Sequence, residues 1–239
     1  MKIAIITDAH SNLPALQAAL KAIQAEGYDL LVNTGDLLGI GPFPAECLDL
    51  LLNTREVQFV TGNHEGYYVN GIPRPAPASW SAGQVGHHKW THSQLDSQSR
   101  SVVAQWPYMI EQEYNGSTVA FVHYGLDDSM CAFAQIAYPP TVAGLDEAFV
   151  NHKAGIVFYG HDHLASDLQG KARYINPGSL GCQKTATASY CLLMIHNGTL
   201  SVEQREIAYD DEALFAAFEK RAVPDREFIY KAFFGGRFQ

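Results

Sequence analysis

The stretch Lys2-Ile3-Ala4-Ile5-Ile6-Thr7-Asp8-Ala9-His10 opens the chain with an apolar run that ends in an acid and a histidine. Residues 2–7 predict a short buried strand. Apolar side chains then recur at helical spacing, at Leu13, Leu16, Leu20 and Ile23. Pro14 suits the first turn of that helix, and Gly27 suits its end. The stretch therefore predicts the strand-then-helix unit from which α/β sheets are built.

The same alternation continues along the chain. Residues 30–33 and 57–60 are strand-like, and residues 45–52 between them are helical. Further strands are predicted at residues 118–123, 156–159, 173–175 and 189–195. Asn115-Gly116 and Asn197-Gly198 lie between apolar runs, which predicts two β-hairpins, and the chain from Asp210 onward is helical. The predicted fold class is α/β.

The middle of the chain has a different composition. Residues 71–81 are rich in Pro, Ser and Ala and predict a loop or lid, followed by helices at about 80–95 and 97–106. Candidate site residues fall on both sides of this segment. We therefore expect a single domain over residues 1–239, with a loop and helical lid at about 66–110.

Composition excludes several classes of partner. The net charge is -9, and no Lys/Arg cluster offers a surface for long nucleic acid. No apolar stretch reaches membrane-spanning length and the start lacks a signal-peptide pattern, so we expect a cytoplasmic protein without a membrane partner. The four cysteines are scattered, which predicts free, mostly buried thiols. The sequence leaves the oligomeric state open.

Metal-ligand side chains follow the predicted strands in five places. They are Asp8-Ala9-His10, Gly35-Asp36, Gly62-Asn63-His64-Glu65, His123 and Gly160-His161-Asp162-His163. Carboxylate, imidazole and carbonyl groups suit divalent metals, and strand ends converge at one edge of a sheet. A glycine beside a ligand lets the backbone turn sharply over the strand end. Two Asp and four His would leave a pair of divalent ions with about two positive charges to hold a phosphate.

Simpler roles compete for the single residues. One histidine alone is more often structural than a metal ligand, but five repeated blocks make coincidence the poorer explanation. Asn12 suits either the cap of the first helix or a phosphate contact. Glu65 suits either a residue that orients His64 or the start of a solvated turn. The remaining histidines are interpreted as surface or lid residues, at His87, His88, His92, His152 and His196.

With these blocks in place, the sequence resembles the calcineurin-like metallophosphoesterase superfamily, whose pattern runs D-x-H, GD, GNH with a following acid, a lone H and GH-x-H. The residues 174–181, Tyr-Ile-Asn-Pro-Gly-Ser-Leu-Gly, resemble the family's N-P-G-S segment. Gly39-Ile40-Gly41-Pro42, interpreted as a substrate-side turn, and the helical stretch from Trp90 to Pro107 resemble its small bacterial phosphodiesterase-like branch.

The resemblance implies a four-layer αββα sandwich of two mixed β-sheets flanked by helices. It places Asp8, His10 and His163 on one metal ion and Asn63, His123 and His161 on the other, with Asp36 bridging them. The cofactors would be two divalent ions, Mn²⁺ in the first place, with Fe, Zn or Ni as alternatives. Asn63, His64 and, as one of its two roles, Asn12 would contact the substrate.

The implied reaction is hydrolysis of a small phosphate ester. A hydroxide bridging the metals attacks phosphorus, and His64 acts as the general acid that protonates the leaving group. A phosphodiester is the favoured substrate. The alternatives are a phosphomonoesterase or protein phosphatase, and a non-catalytic scaffold of the same fold, which the presence of His64 disfavours.

Overall fold

A computed structural model describes residues 1–114, 116–196 and 198–237 of the chain. The strands are β1 Lys2–Ile6, β2 Leu30–Asn33, β3 Val57–Phe59, β4 Met109–Tyr114, β5 Ser117–Val122, β6 Ile156–Phe158, β7 Ser166–Gln169, β8 Arg173–Asn176, β9 Thr187–His196 and β10 Thr199–Ala208. The helices are α1 Leu13–Glu26, α2 Pro44–Leu52, α3 Asn63–Asn70, α4 Ala82–Ser93, α5 Ser97–Val103, α6 Val142–Ala148, α7 Glu212–Lys220 and α8 Arg226–Phe233.

These strands form two mixed sheets. The first has the order β10-β9-β1-β2-β3 and the second has the order β4-β5-β6-β8-β7. β1, β2 and β3 run parallel, as do β5, β6 and β8, while hairpins or antiparallel pairs complete each sheet. In the first sheet Ile3 of β1 lies beside Leu30 on one side and Leu193 on the other.

The alternation of side chains along β1 produces the layers. Ile3 and Ile5 point into the core between the two sheets, where they pack with residues such as Phe121 and Phe158 of the second sheet. Neighbouring residues on a strand point to opposite faces, so Ile6 instead meets the apolar stripe of α1. The first strand is therefore buried on both faces, as its unbroken apolar sequence predicts.

Helices cover the outer face of each sheet. α1 and α2 pack on the first sheet together with single residues of α3 and α5, and α6 packs on the second sheet. α7 and α8 form a separate apolar cluster around Phe215, Phe218 and Phe234, which also contains Ile40 and Cys182. The αββα arrangement that the resemblance implied is confirmed. Among the described residues, no helix combines the length and apolar character needed to cross a membrane.

Several sequence predictions need adjustment at the level of single elements. The two hairpins are present as β4–β5 and β9–β10, although Asn115 and Asn197 themselves lie outside the described residues. The C-terminal helix is two helices, α7 and α8, separated by backbone with positive φ at Ala222 and Asp225. Short elements with weak periodicity, α3, α6 and β7, were not predicted, because four to eight residues carry too little pattern.

Glu65 binds the loop after β2 to the start of α3. Its carboxylate is fully buried, and Oε2 accepts hydrogen bonds from the backbone N–H groups of Asp36 at 2.8 Å and Gly62 at 2.9 Å. Oε1 accepts one from the N–H of Leu38 at 3.0 Å. Both roles considered for Glu65 from the sequence, orienting His64 and starting a solvated turn, are replaced by this structural one.

Replacing Leu193 by Ala is expected to lower the free energy of unfolding by about 2–5 kcal/mol, because it opens a cavity between the two sheets. Leu193 is fully buried there, whereas Leu52 at the end of α2 is 40% exposed. Urea denaturation of Leu193→Ala and of the control Leu52→Ala measures the difference. Equal losses in the two variants would contradict the assignment of this core.

Replacing Glu65 by Gln is expected to lower the free energy of unfolding by about 1–3 kcal/mol, because an amide NH₂ would face backbone N–H donors. Burial, and to a lesser extent the Asp36 carboxylate, raise the pKa of Glu65 to about 7. Stability should therefore be measured at pH 8, where the Glu65 carboxylate is ionised. Glu147→Gln, on the exposed side of α6, is the matched control. A variant as stable as this control would show that the three N–H contacts do not hold the loop.

Candidate metal centre

The predicted ligands meet where the carboxyl ends of parallel strands from both sheets face each other. The first sheet contributes Asp8 and His10 after β1, Asp36 after β2, and Asn63 and His64 after β3; the second contributes His123 after β5, and His161 and His163 after β6. The sequence predicted convergence at the edge of one sheet. The structure divides the residues between two sheets, so the site depends on how the sheets pack.

Asp8, His10 and His163 form one group of ligand atoms. Oδ1 of Asp8 lies 3.6 Å from Nε2 of His10 and 3.5 Å from Nε2 of His163, and these two nitrogens are 2.9 Å apart. Oδ2 accepts hydrogen bonds from the Thr7 hydroxyl at 2.9 Å and the His161 N–H at 3.0 Å. Oδ1 is buried and has no hydrogen-bond partner among the described residues. A cation would supply that partner.

His123, His161 and Asn63 form a second group. Nε2 of His123 lies 3.1 Å from Nδ1 of His161, and the Asn63 Oδ1 lies 3.1 Å from the first nitrogen and 2.8 Å from the second. The amide could donate to these nitrogens only if it were turned so that its NH₂ faced them. With its oxygen toward them and the imidazoles deprotonated, three lone pairs can point to one place, so the donor set suits a metal.

Asp36 lies between the two groups. Its Oδ2 is 3.2 Å from Nε2 of His123 and 3.8 Å from Nε2 of His10, and its Oδ1 accepts a hydrogen bond from the His64 N–H at 2.9 Å. One carboxylate oxygen is thus directed at both groups of imidazoles. This is the position that a bridging ligand requires.

Backbone carbonyls set the orientation of two imidazoles. Nδ1 of His10 lies 3.1 Å from the Leu38 carbonyl, and Nδ1 of His123 lies 3.1 Å from the Thr34 carbonyl. When Nδ1 donates to these oxygens, the lone pair is at Nε2, which faces the centre. The loop after β2 therefore orients ligands from both sheets.

The charges of the centre are mutually dependent. Burial is the largest influence on the pKa of Asp8 and acts to raise it, but His163, His123 and His10 together outweigh burial and hold that pKa well below its usual range. Burial also acts to raise the pKa of Asp36, which His123 and other imidazoles together lower. Burial acts to lower the pKa of His123, yet Asp36, Asp8 and Glu65 together raise it to about 9. Both carboxylates therefore stay ionised and depend on nearby positive charge.

The other two imidazoles remain neutral. Burial, reinforced by the charge of His163, lowers the pKa of His10 to about 4. Burial and the charge of His123 lower the pKa of His161 to about 4. The centre thus holds two ionised carboxylates beside two neutral imidazoles. Divalent cations would displace the protons from the remaining two imidazoles when they bind. The residues present are suited to two divalent ions.

The ligands occupy strained backbone conformations. Asp8, His10, Asp36, His161 and His163 all have positive φ, between 45° and 74°. Non-glycine residues rarely adopt this region, and such strain concentrates at functional sites. The strained residues follow β1, β2 and β6, where the backbone must turn to bring the side chain over the end of the sheet.

The adjacent glycines have two different functions. Gly35 has φ of 103°, in line with the predicted sharp turn. Gly62 is extended, and a Cβ there would lie 2.2 Å from Oδ1 of Asp36. A Cβ at Gly160 would lie 2.0 Å from the Thr7 Oγ1. The turning role predicted for Gly62 and Gly160 is therefore replaced by close packing against the site.

The N-P-G-S segment joins the ligand loops of the two sheets. The Ser179 hydroxyl donates to the Asp8 carbonyl at 2.8 Å, and the Gly181 N–H donates to the same oxygen at 3.0 Å. Nδ2 of Asn176 donates to the Gly160 carbonyl at 3.1 Å. These residues act by holding ligands in place, which the sequence did not reveal.

Asn12 caps helix α1. Its Oδ1 accepts a hydrogen bond from the Ala15 N–H at 3.1 Å, and its Nδ2 donates to the Gly181 carbonyl at 2.7 Å and the Tyr209 hydroxyl at 2.9 Å. The side chain is fully buried. Of the two roles left open by the sequence, the structure shows the cap, made by Oδ1, while Nδ2 is bonded to other groups of the protein; contact with a phosphate stays a prediction.

His64 lies at the start of α3, beside the centre. Its ring centroid is 5.0 Å from that of His10 and 5.2 Å from that of His88. Its Nδ1 is buried, and a Cβ at Gly39 would lie 2.0 Å from that atom. Gly39, with φ of 83°, thus makes room for the imidazole and leaves Nε2 as the ring nitrogen that faces outward.

Two of the histidines interpreted as surface or lid residues are buried. His87 and His88 lie on α4 and are only 5% and 8% exposed, because the helix packs its histidine face toward His64. The interpretation of these two as surface residues was wrong, and their role in a lid stays a prediction. Helical spacing alone could not show that α4 lies beside the ligand loops.

An open cleft of about 810 Å³ lies over the centre. Two residues on its wall were not singled out from the sequence as site residues, Cys182 and Lys184. The Cys182 Sγ lies within 4.8 Å of ligand nitrogens of His10 and His163, although the thiol was interpreted as a buried hydrophobe. Lys184 supplies a cationic side chain on the wall. Both residues closely follow the N-P-G-S segment, and this position was the one sequence feature that could have pointed to them.

Known proteins share this fold and sequence pattern. The uncharacterized protein MJ0912 of Methanocaldococcus jannaschii is 26% identical over 253 residues, covering 98% of each chain. A hypothetical protein, PH1004 of Pyrococcus horikoshii, has a crystal structure with a TM-score of 0.81, 19% identity and 98% coverage of each chain. A metallophosphoesterase from Sphaerobacter thermophilus gives a TM-score of 0.71, 23% identity, and coverage of 94% of this chain and 95% of its own.

The family profile of the calcineurin-like phosphoesterase superfamily domain matches residues 1–198, which include every ligand block described above. The match covers most of the chain and both sheets as far as β9. With the two ligand groups brought together at the ends of the parallel strands, the chain belongs to the calcineurin-like phosphoesterase superfamily.

Proposed function

We propose that this protein is a dinuclear metal-dependent phosphodiesterase that hydrolyses small phosphodiesters. The observation that carries the proposal is the position of Asp36, whose Oδ2 is 3.2 Å from His123 and 3.8 Å from His10. It joins the group of Asp8, His10 and His163 to the group of Asn63, His123 and His161. A shared carboxylate between two sets of ligands suits two ions rather than one.

When bound, two divalent ions would supply the positive charge that holds a phosphate and activates water for attack on phosphorus. Mn²⁺ is the ion we propose, in keeping with the mixed carboxylate, amide and imidazole ligands. The protein's own residues orient this centre. The loop after β2 fixes the rings of His10 and His123 through the carbonyls of Leu38 and Thr34.

His64 is the proposed general acid. Its Nδ1 is buried against Gly39, so the outward Nε2 is the atom that would give a proton to the leaving oxygen. Burial holds the pKa of His64 well below its ordinary value, against the opposing effect of the Asp36 carboxylate. A phosphate anion beside Nε2 favours the imidazolium. We therefore expect His64 to gain its proton as substrate binds.

The cleft over the metal centre supports a phosphodiester as the substrate. A phosphodiester carries a substituent on each side of phosphorus, and the open cleft of about 810 Å³ leaves room for both. Lys184 on the cleft wall adds a positive charge for the phosphate. The chain itself is acidic, with a net charge of -9, so attraction to the substrate would come from within the cleft rather than from the whole surface.

Removing metal should abolish hydrolysis, and Mn²⁺ should restore it. The measurement compares bis-p-nitrophenyl phosphate with p-nitrophenyl phosphate on one preparation, before and after chelation, with metal content determined by mass spectrometry. We expect two ions per chain, faster cleavage of the diester, and loss of bound metal in Asp36→Asn. Cleavage of the monoester alone would refute the diester assignment, and inactivity with both ions bound would favour a scaffold.

Replacing His64 by Ala should lower kcat by about 10²–10⁴-fold on a diester with a poor leaving group, because the leaving oxygen then departs unprotonated. The loss should be much smaller with a p-nitrophenolate leaving group, which needs no proton. Metal content should stay unchanged. His152→Ala, remote from the cleft, is the control for loss of an imidazole. Equal losses on both esters, or loss of a metal ion, would rule out the acid role.

A further inference from the structure

A second, smaller pocket opens beside the metal centre. It has a volume of about 160 Å³ and lies between α3, α4 and α8. Four residues line both this pocket and the cleft over the centre: Ile40, Asn63, His64 and Phe233. The two spaces are therefore neighbours that share the His64 wall. A molecule with its phosphate at the metal centre could extend directly into the pocket.

Aromatic side chains form one wall of the pocket. The Trp80 indole stacks on the His88 ring with centroids 4.5 Å apart and planes at 16°. The Tyr67 ring meets Trp80 edge-on at 4.9 Å and meets His88 edge-on at 5.2 Å. These are preferred geometries for aromatic pairs, so the three rings support one another. The wall is formed in advance for a flat ring rather than for an irregular aliphatic group.

Polar groups lie on the pocket lining as well. The Gln84 Oε1 accepts the Ser81 N–H at 2.8 Å, and its Nε2 makes no hydrogen bond to any residue that the structure describes. The Asp225 carboxylate packs on Gly83, where a Cβ would lie 2.4 Å from its Oδ1. Across the described residues, that carboxylate has no hydrogen-bond or ion-pair partner, and it does not cap α8. A ligand that fits here needs donors on its edge.

We propose that this pocket binds a nucleobase that carries an amino group, in a nucleotide whose phosphate lies at the metal centre. A nucleobase has flat faces for the wall of Tyr67, Trp80 and His88, and its amino group can donate to Asp225. A phenyl ring would leave the carboxylate without a donor. The inference rests on the proposed function for the position of the phosphate, and it names nucleotides as the substrate class.

The test compares AMP with ribose 5-phosphate and with purine riboside 5′-monophosphate, which carries hydrogen in place of the amino group and has no other N–H donor on its ring. Isothermal titration calorimetry on Mn²⁺-loaded protein gives the Kd of each probe, and KM is compared instead for any probe that the protein hydrolyses. We expect AMP to bind about tenfold or more tightly than ribose 5-phosphate, because stacking on aromatic side chains contributes to base binding. We also expect AMP to bind more tightly than purine riboside 5′-monophosphate.

Variants locate the effect. Trp80→Ala should remove most of the advantage of AMP over ribose 5-phosphate, and Trp80→Phe should retain it. Asp225→Asn should reduce the preference for AMP over purine riboside 5′-monophosphate while leaving the advantage of AMP over ribose 5-phosphate. Equal affinity of the wild-type protein for AMP and ribose 5-phosphate would overturn the inference and leave the esterase proposal untouched. Base selectivity that survives both Trp80→Ala and Asp225→Asn would overturn the assignment of the pocket.

The two proposals fail separately. Binding of AMP is measured without turnover, whereas the esterase proposal is measured on bis-p-nitrophenyl phosphate, which has no nucleobase. Selective binding of AMP at this pocket in a protein that hydrolyses no ester would refute catalysis and support the base site. Hydrolysis of the diester without any selectivity for a nucleobase would support the esterase proposal and refute the base site.

Discussion

Two fully buried carboxylates, those of Asp8 and Asp36, constrain the rest of the structure. A buried charge is costly unless hydrogen bonds and opposite charges surround it. Asp8 receives an N–H from His161 of the other sheet, and Asp36 receives one from His64. Each carboxylate therefore fixes a loop that belongs to a different strand. The packing of the two sheets and the assembly of the ligands are consequences of the same electrostatic requirement.

The fold and the clustering of the candidate ligands were largely predictable because their signals are local. Each ligand block follows an apolar strand within a few residues, as Asp8 follows β1 and His161 follows β6. Partnerships between distant segments were not predictable in this way. Glu65 reaches back to N–H groups of the preceding loop, and His88 comes beside His64 only when α4 has packed. Such contacts depend on tertiary geometry, which spacing along the chain does not encode.

The molecule separates the proposed reactive groups from the groups that would recognise a substrate. The candidate metal ligands lie at strand ends, where backbone hydrogen bonds and packed glycines hold them. The aromatic wall instead lies on α3, on α4 and on the loop before α4, with Phe233 and Asp225 added from the C-terminal helices. Changes in these outer segments could alter selectivity while the reaction stays the same, because loops and added helices tolerate substitution better than a core sheet.

The position of β1 in the middle of the first sheet affects how the protein is made. β1 pairs with β2 early in the sequence, but its other neighbour is β9, with Ile3 beside Leu193. During synthesis on the ribosome, one edge of an apolar strand must remain unpaired until nearly the whole chain has emerged. Open strand edges invite association with other chains. The nascent protein therefore exposes this strand edge to other chains until β9 arrives and pairs with it.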